Sequence, residues 1–227
     1  MVSSARFTLL FPFENIGTNL VPLLATVSGN LLELSDHSGL KFLDLEIGQS
    51  TFASPHVLMV VGAPILGRYY VFGNLFARSG GESEPFRRDR HPTMRQHPTT
   101  PMAESDLRLH LSQQTDKSIA LFDVLKLDLP IDQAVDALEQ LFAESEVVIF
   151  DTLYNQHLTV IGQLMCGASI HHRTLFCVGS SAVEYALTSH WKTIGILPDE
   201  PYFQADWKKV FERESIQASV AKIVGDA

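Results

Sequence analysis

The feature that most restricts this chain is a regular alternation of patterns over residues 118–191. A short apolar run with β-type residues, SIALFDV (118–124), precedes PIDQAVDALEQLFAES (130–145). Pro130 opens that second stretch, and proline is favoured at a first helical position. Ile131, Val135, Leu138 and Phe142 then recur at helical spacing. EVVIFD (146–151) reads as a buried strand ending on a carboxylate, with a helical stretch around Leu158, Ile161 and Met165 behind it. TLFCVGSS (174–181) is a further strand ending in Gly179, Ser180 and Ser181. SAVEYALTSHW reads as a helix, and its Ser181 and Glu184 have the spacing of a capping box. Successive strand–helix units with strands this apolar call for a parallel sheet covered by helices.

Upstream, HVLMVV (56–61) is another buried strand and GAPILG a turn. RYYVFGNLFA (68–77) reads as an extended segment or hairpin arm, and RSGGESEPFRRDR (78–90) as a polar loop. HPTMRQHPTTPM (91–102) carries three prolines, each of which pushes the residue before it out of the helical region. That segment is expected to run extended, with Thr100 and Pro101 capping and starting the helix MAESDLRLHLSQQ. The DLRLHL alternation is equally strand-like. The expected fold class is therefore α/β: a largely parallel, Rossmann-like sheet flanked by helices, with a β-hairpin-like arm and a proline-rich loop. Residues 1–38 show apolar content without a sustained period and form a separate, irregular segment. Residues 39–197 are expected to make the domain, and 198–227 a linker and terminal helix with Trp207, Val210 and Phe211 facing inward.

The chain has 227 residues, 45% of them apolar, which is enough for a sizeable core. Its formal net charge of −9 argues against nucleic acid or an anionic membrane as partner. The charge is uneven. Between Ser54 and Pro101, Arg68, Arg78, Arg87, Arg88, Arg90 and Arg95 face only Glu82, Glu84 and Asp89. That window carries +3, which leaves −12 on the rest of the chain. A local basic island suits a small anion; the alternative is a solvated arginine-rich loop. Cys166 and Cys177 have neither zinc nor CxxC spacing and read as reduced, buried thiols of a cytoplasmic protein. The longest apolar run, Val57–Leu66, is too short to span a bilayer. Pro12 and Glu14 break the apolar opening, against a leader peptide.

Ligands of open α/β sheets sit at the carboxyl ends of the strands. Three strand ends offer chemistry there. Gly62 and Gly67 allow a tight turn through Ala63 and Pro64, and Arg68 follows as a bidentate anion ligand. Asp151 is a carboxylate at a strand terminus. Gly179, Ser180 and Ser181 lead into a helix N-terminus, which favours an anion. Each has a plainer alternative: Arg68 pairing with a surface carboxylate, Asp151 capping a turn, Ser181 capping its helix. His171, His172 and the other histidines show no i, i+4 metal pair, so no metal site is expected.

VVGAPILGRYYVFGNLFARSG, followed by DRHPTMRQHPTTPMAESDLRLHLSQQT, closely resembles the N-terminal domain of the four-carbon acid sugar kinase family. The family has a strand leading into an A-P-x-x-G-R turn, an extended arm, and a loop ending in H-P-x-T-P-M before a helix. VIFDTLYNQHLTVIGQL and LFCVGSSAVEYALTSHW are similar to its later segments, so the resemblance runs from roughly Leu45 to Trp191. It implies a domain that binds a small sugar acid, with ATP and magnesium held by a separate C-terminal domain. By that resemblance Gly62, Ala63, Pro64, Gly67, Arg68, His91, Arg95, His97, Pro98 and Thr100 lie near the acid, together with Asp151, Gly179, Ser180 and Ser181. The prolines would hold His91, Arg95 and His97 in one geometry.

The departures are as definite. The family's D-D-x-T-G motif is missing, and ENIG (14–17) is at most an echo of its D-S-T and G-N-I-G segment. Nothing resembles a glycine loop for nucleotide phosphate. No catalytic residue is assigned, and no cofactor is expected on this chain alone. The first expectation is the substrate-binding portion of a sugar-acid kinase, truncated and inactive alone, with a separately encoded ATP-binding half or a homo-oligomer as its assembly. The alternatives are a non-catalytic small-anion-binding or interaction module, and the remnant of a disrupted kinase gene whose first 38 residues come from a shifted frame.

Overall fold

The computed structural model describes residues 5–11, 23–29, 49–50, 53–80, 83–96, 98, 101–172, 175–179 and 181–197. The chain divides into two units, Met1–His190 and Trp191–Ala227. The first carries the sheet. In the second, the described residues close a helix: the Ile196 and Leu197 amides both donate to the Trp191 carbonyl, at 2.8 and 3.2 Å.

Four strands are parallel neighbours: β3 (Val57–Val60), β7 (Ile119–Phe122), β8 (Val147–Phe150) and β9 (Leu175–Gly179). β1 (Ala5–Phe11) and β2 (Leu23–Gly29) add antiparallel edge strands. The six-stranded order is β2-β1-β9-β3-β8-β7. The three central parallel strands are buried along their whole length, as their unbroken apolar runs require, while β7 at the sheet edge is only partly covered.

Handedness builds the layers. From β7 to β8 and from β8 to β9 the chain moves across the sheet in one direction, carrying α3 (Ile131–Glu144) and α4 (Asn155–His172). From β3 to β7 it moves the opposite way, carrying a second, three-stranded sheet and α1 (Leu107–Ser112). Right-handed crossovers therefore place the two sets on opposite faces. The alternation of side chains agrees with this. Val57, Met59, Val147, Ile149, Phe176 and Val178 share one core with Tyr70, Leu75, Leu107 and Leu111. α3 buries Ala134, Leu138 and Phe142, a stripe of steps of four.

The small sheet is the expected arm: β4 (Arg68–Val71), β5 (Asn74–Arg78) and β6 (Pro85–Arg87), all antiparallel. Its first hairpin turns on Phe72 and Gly73, both at positive φ (48° and 83°), the pattern of a tight two-residue turn that matches strand twist. The described residues also form α2 (Val124–Leu127) and α5 (Ser181–Thr193).

Three expectations need correction. The stretch 78–90 is not loop throughout, since β6 and a 3-10 turn over Arg88–Arg90 lie within it. The helix after the proline segment starts at Leu107, not near Met102: the Asp106 carboxylate accepts from the Arg108 amide and captures the N-terminus in place of Thr100 and Pro101. Its DLRLHL alternation resolves as helix, burying Leu107 and Leu111 and exposing Leu109. The proline segment is likewise not extended throughout. His91 obeys the rule for a residue before proline (φ −65°, ψ 129°), but residues 92–96 form a turn closed by Arg95 N–H donating to the His91 carbonyl at 3.0 Å. Proline restricts its predecessor, yet its own φ suits the start of a helical turn.

Candidate functional site

β3 and β8 are adjacent, and their outgoing connections leave to opposite faces. A crevice for ligand forms at such a switch point in open sheets. Asp151 directly follows β8 and Gly62 lies two residues past the end of β3, so those sequence candidates meet at the same edge; Gly179 ends the parallel neighbour β9 there too. The arm packs against this edge. Tyr70 exchanges backbone hydrogen bonds with Thr152, at 3.1 and 2.6 Å, and a Cβ on Gly62 would stand 2.7 Å from the Thr152 Cβ.

Asp151 is fully buried and occupied. Its Oδ2 accepts from Phe72 N–H (2.7 Å) and Val124 N–H (3.0 Å), and its Oδ1 from Gly73 N–H (3.2 Å). One carboxylate thus clamps the strained hairpin turn and the start of α2 to the end of β8. Burial raises its carboxyl above the usual aspartate value, against the three amides that favour the charged form. Gly179 serves close packing, since a Cβ there would stand 2.2 Å from the Val60 carbonyl oxygen. α5 begins at Ser181, so its capping position falls on Ser180, which lies outside the described residues, as do His97 and Thr100.

The A-P-x-x-G-R turn is a 3-10 turn over Pro64–Leu66 with Pro64 at its first position. Gly67 closes it at φ 67°, a left-handed conformation that a side chain would strain. Arg68 then starts β4, bridged back to Ala63. The turn therefore delivers Arg68 from the end of β3 onto the arm. His91 is buried, and its Nδ1 accepts from the Thr93 and Met94 amides (3.3 Å each), which leaves the ring hydrogen on Nε2. Arg95 and Pro98 are exposed.

The residue that sequence reasoning missed is Arg88. It sits on the 3-10 turn Arg88–Arg90 that follows β6, with only 8% of its surface exposed. Its Nε has no hydrogen-bond partner. Burial, and then the like charge of Arg68, push its guanidinium down to about 10. Three described acids are already engaged. Asp89 pairs with Arg87, Asp106 with Arg108, and Glu104 Oε1 accepts from the Ser105 and Asp106 amides. His110 on α1 feels the Arg88 charge as well; burial first and Arg88 second lower it from the ordinary histidine value. The signal was present in FRRDR, where one aspartate cannot neutralise three arginines. Among the described residues, no group of three His, Cys, Asp or Glu side chains could hold a metal ion. No described helix is long and apolar enough to cross a membrane.

Residues 39–187 match the family model of the sugar-binding N-terminal domain. The chain belongs to that family. It is 43% identical over 147 residues to the 3-oxo-isoapionate kinase of Paraburkholderia graminis, a match covering 65% of this chain and 30% of the kinase. The chain thus spans under a third of that relative. Over a shorter stretch of 62 residues it is 40% identical to a 3-oxo-isoapionate-4-phosphate transcarboxylase/hydrolase of Xanthobacter autotrophicus, covering 24% of this chain and 15% of that one. A solved Haemophilus influenzae protein of the DUF1537 family shares the fold, with a TM-score of 0.57 at 17% identity over 72% of this chain and 37% of that one. The resemblance to the N-terminal domain of four-carbon acid sugar kinases is thereby upheld. So is the α/β fold, with its parallel four-stranded sheet and hairpin sheet.

Proposed function

We propose that these 227 residues are the acid-recognising portion of an ATP-dependent sugar-acid kinase. The observation that carries this reading is the 43% identity to a kinase over 147 residues, beside a family match over 39–187 that includes the G-A-P-I-L-G-R turn and the proline segment. The acid named for that relative, 3-oxo-isoapionate, is the first candidate ligand, and small sugar acids are the class. Arg68, delivered by a rigid turn to the carboxyl edge, supplies a planar fork suited to a carboxylate.

Phosphoryl transfer depends on positioning and on neutralising nucleotide charge. The sequence has neither D-D-x-T-G nor a glycine loop for phosphate, so in this proposal ATP and its magnesium are held by other residues, in the rest of a longer chain or in a second one. The domain then binds acid and transfers nothing by itself. A thermal-shift panel tests the first half: 3-oxo-isoapionate or a four-carbon sugar acid raises the melting temperature, since a ligand of the folded state alone stabilises by mass action. An ATP-turnover assay tests the second, and is expected to be silent with these residues alone. Absence of any stabilisation by sugar acids overturns the binding role; acid-dependent ATP consumption overturns the division of labour.

A further inference from the structure

Building on the sugar-acid reading, we propose that Arg88 is the residue that selects for the acid: its buried guanidinium, beside Arg68, takes the ligand's carboxylate. The structure explains why a fold would keep such a residue. An ion removed from water is costly unless paired, and a bare buried guanidinium is rarer than an exposed one. Arg88 is nine-tenths buried, its Nε is unpartnered, and no described carboxylate pairs with it. Arg68 adds a second positive charge close by instead of a negative one.

Local sequence could have relieved this, because Asp89 adjoins it, yet Asp89 is turned to Arg87. Glu104 is spent on two backbone amides and Asp106 on Arg108 and the α1 cap. Among the described residues no carboxylate pairs with the Arg88 guanidinium, and in this proposal an incoming anion supplies that partner. Arginine's planar fork matches a carboxylate through two parallel N–H donors. His110, also within the Arg88 field, is lowered from the ordinary histidine value by burial and then by Arg88, which disfavours a further positive charge there.

A residue kept for its ligand behaves oppositely to one kept for the fold. Arg88→Met keeps much of the bulk and removes the buried charge, so the ligand-free protein should melt at the same temperature as wild type or higher. Binding should fall sharply. Calorimetric titration with L-threonate, and with threitol as its uncharged counterpart, reads this directly. Wild type binds the acid and not the polyol. Arg88→Met and Arg88→Gln weaken acid binding by about 10- to 100-fold, the scale of a charge-assisted hydrogen bond. Lys192→Ala, at an exposed position outside the candidate site, leaves it within about twofold.

The outcomes separate. If threonate and 3-oxo-isoapionate bind wild type and Arg88→Met alike, this inference fails and the sugar-acid reading stands. A lower ligand-free melting temperature with unchanged affinity makes Arg88 a structural residue and also overturns it. Inorganic phosphate bound through Arg88 more tightly than threonate overturns the carboxylate assignment. If no acid binds wild type, both this inference and the reading beneath it fall.

Discussion

Replacing Asp151 should uncouple the arm from the sheet. Its carboxylate is the acceptor for three amides, those of Phe72, Gly73 and Val124. Asp151→Ala leaves them without that acceptor, at a cost of about 1–3 kcal/mol each. It also frees Phe72 from a turn that holds it at φ 48°, a conformation costing about 1–2 kcal/mol for a residue with a side chain. Removing a buried charge offsets part of the loss, which leaves a net destabilisation of about 3–5 kcal/mol. For a domain of this size that lowers the melting temperature by roughly 10 °C. Asp151→Asn keeps one acceptor oxygen but turns an NH2 toward an amide, and should cost about half as much.

The pH dependence carries its own sign. Burial holds the Asp151 carboxyl above its ordinary 3.8, so the folded state prefers the proton. The associated stability is fully present below 3.8 and is lost as pH rises through the folded value. The gap between wild type and Asp151→Asn should therefore be widest in acid, once other groups are common to both. Urea denaturation of wild type, Asp151→Ala and Asp151→Asn at several pH values measures all of this. A loss below about 1 kcal/mol for Asp151→Ala would refute the clamp and return the carboxylate to the list of ligand groups.

Two more consequences follow from the packing. Gly179→Ala puts a Cβ 2.2 Å from the Val60 carbonyl oxygen, so β3 and β9 must part; a loss of about 3 kcal/mol in chemical denaturation is expected, and a neutral effect would contradict the close approach. Burial lowers His157 and His190 below the ordinary 6.5, so their contribution is present above that pH and disappears as pH falls through the folded values. Melting temperature should thus drop from pH 7.5 toward pH 5, and less so in His190→Gln, whereas a flat profile would refute it.

The sheet could be read from sequence because buried parallel strands are written as unbroken apolar runs such as VVIF and LFCVG, and α3 as steps of four. The hairpin could be read from Gly73 between two β-rich arms. What failed was local competition. Pro101 offers a helix start, but Asp106 offers a better cap five residues later, and three prolines constrain their predecessors without keeping residues 92–96 extended. Residues 5–11 and 23–29 pair as strands although their apolar residues keep no clear period. Arg88 escaped because an arginine in a polar run is ordinarily exposed, and only the tertiary packing of the arm buries it. Asp151 was visible as a carboxylate at a strand end, but nothing in the sequence announces that Phe72, Gly73 and Val124 converge on it.

A crystal structure of the protein with L-threonate tests the central claim most directly. The account predicts the acid at the carboxyl edge of the parallel sheet, its carboxylate within hydrogen-bonding distance of the Arg88 and Arg68 guanidiniums, with the Asp151 clamp unchanged. Threonate bound elsewhere, with Arg88 Nε still unpartnered, would contradict it.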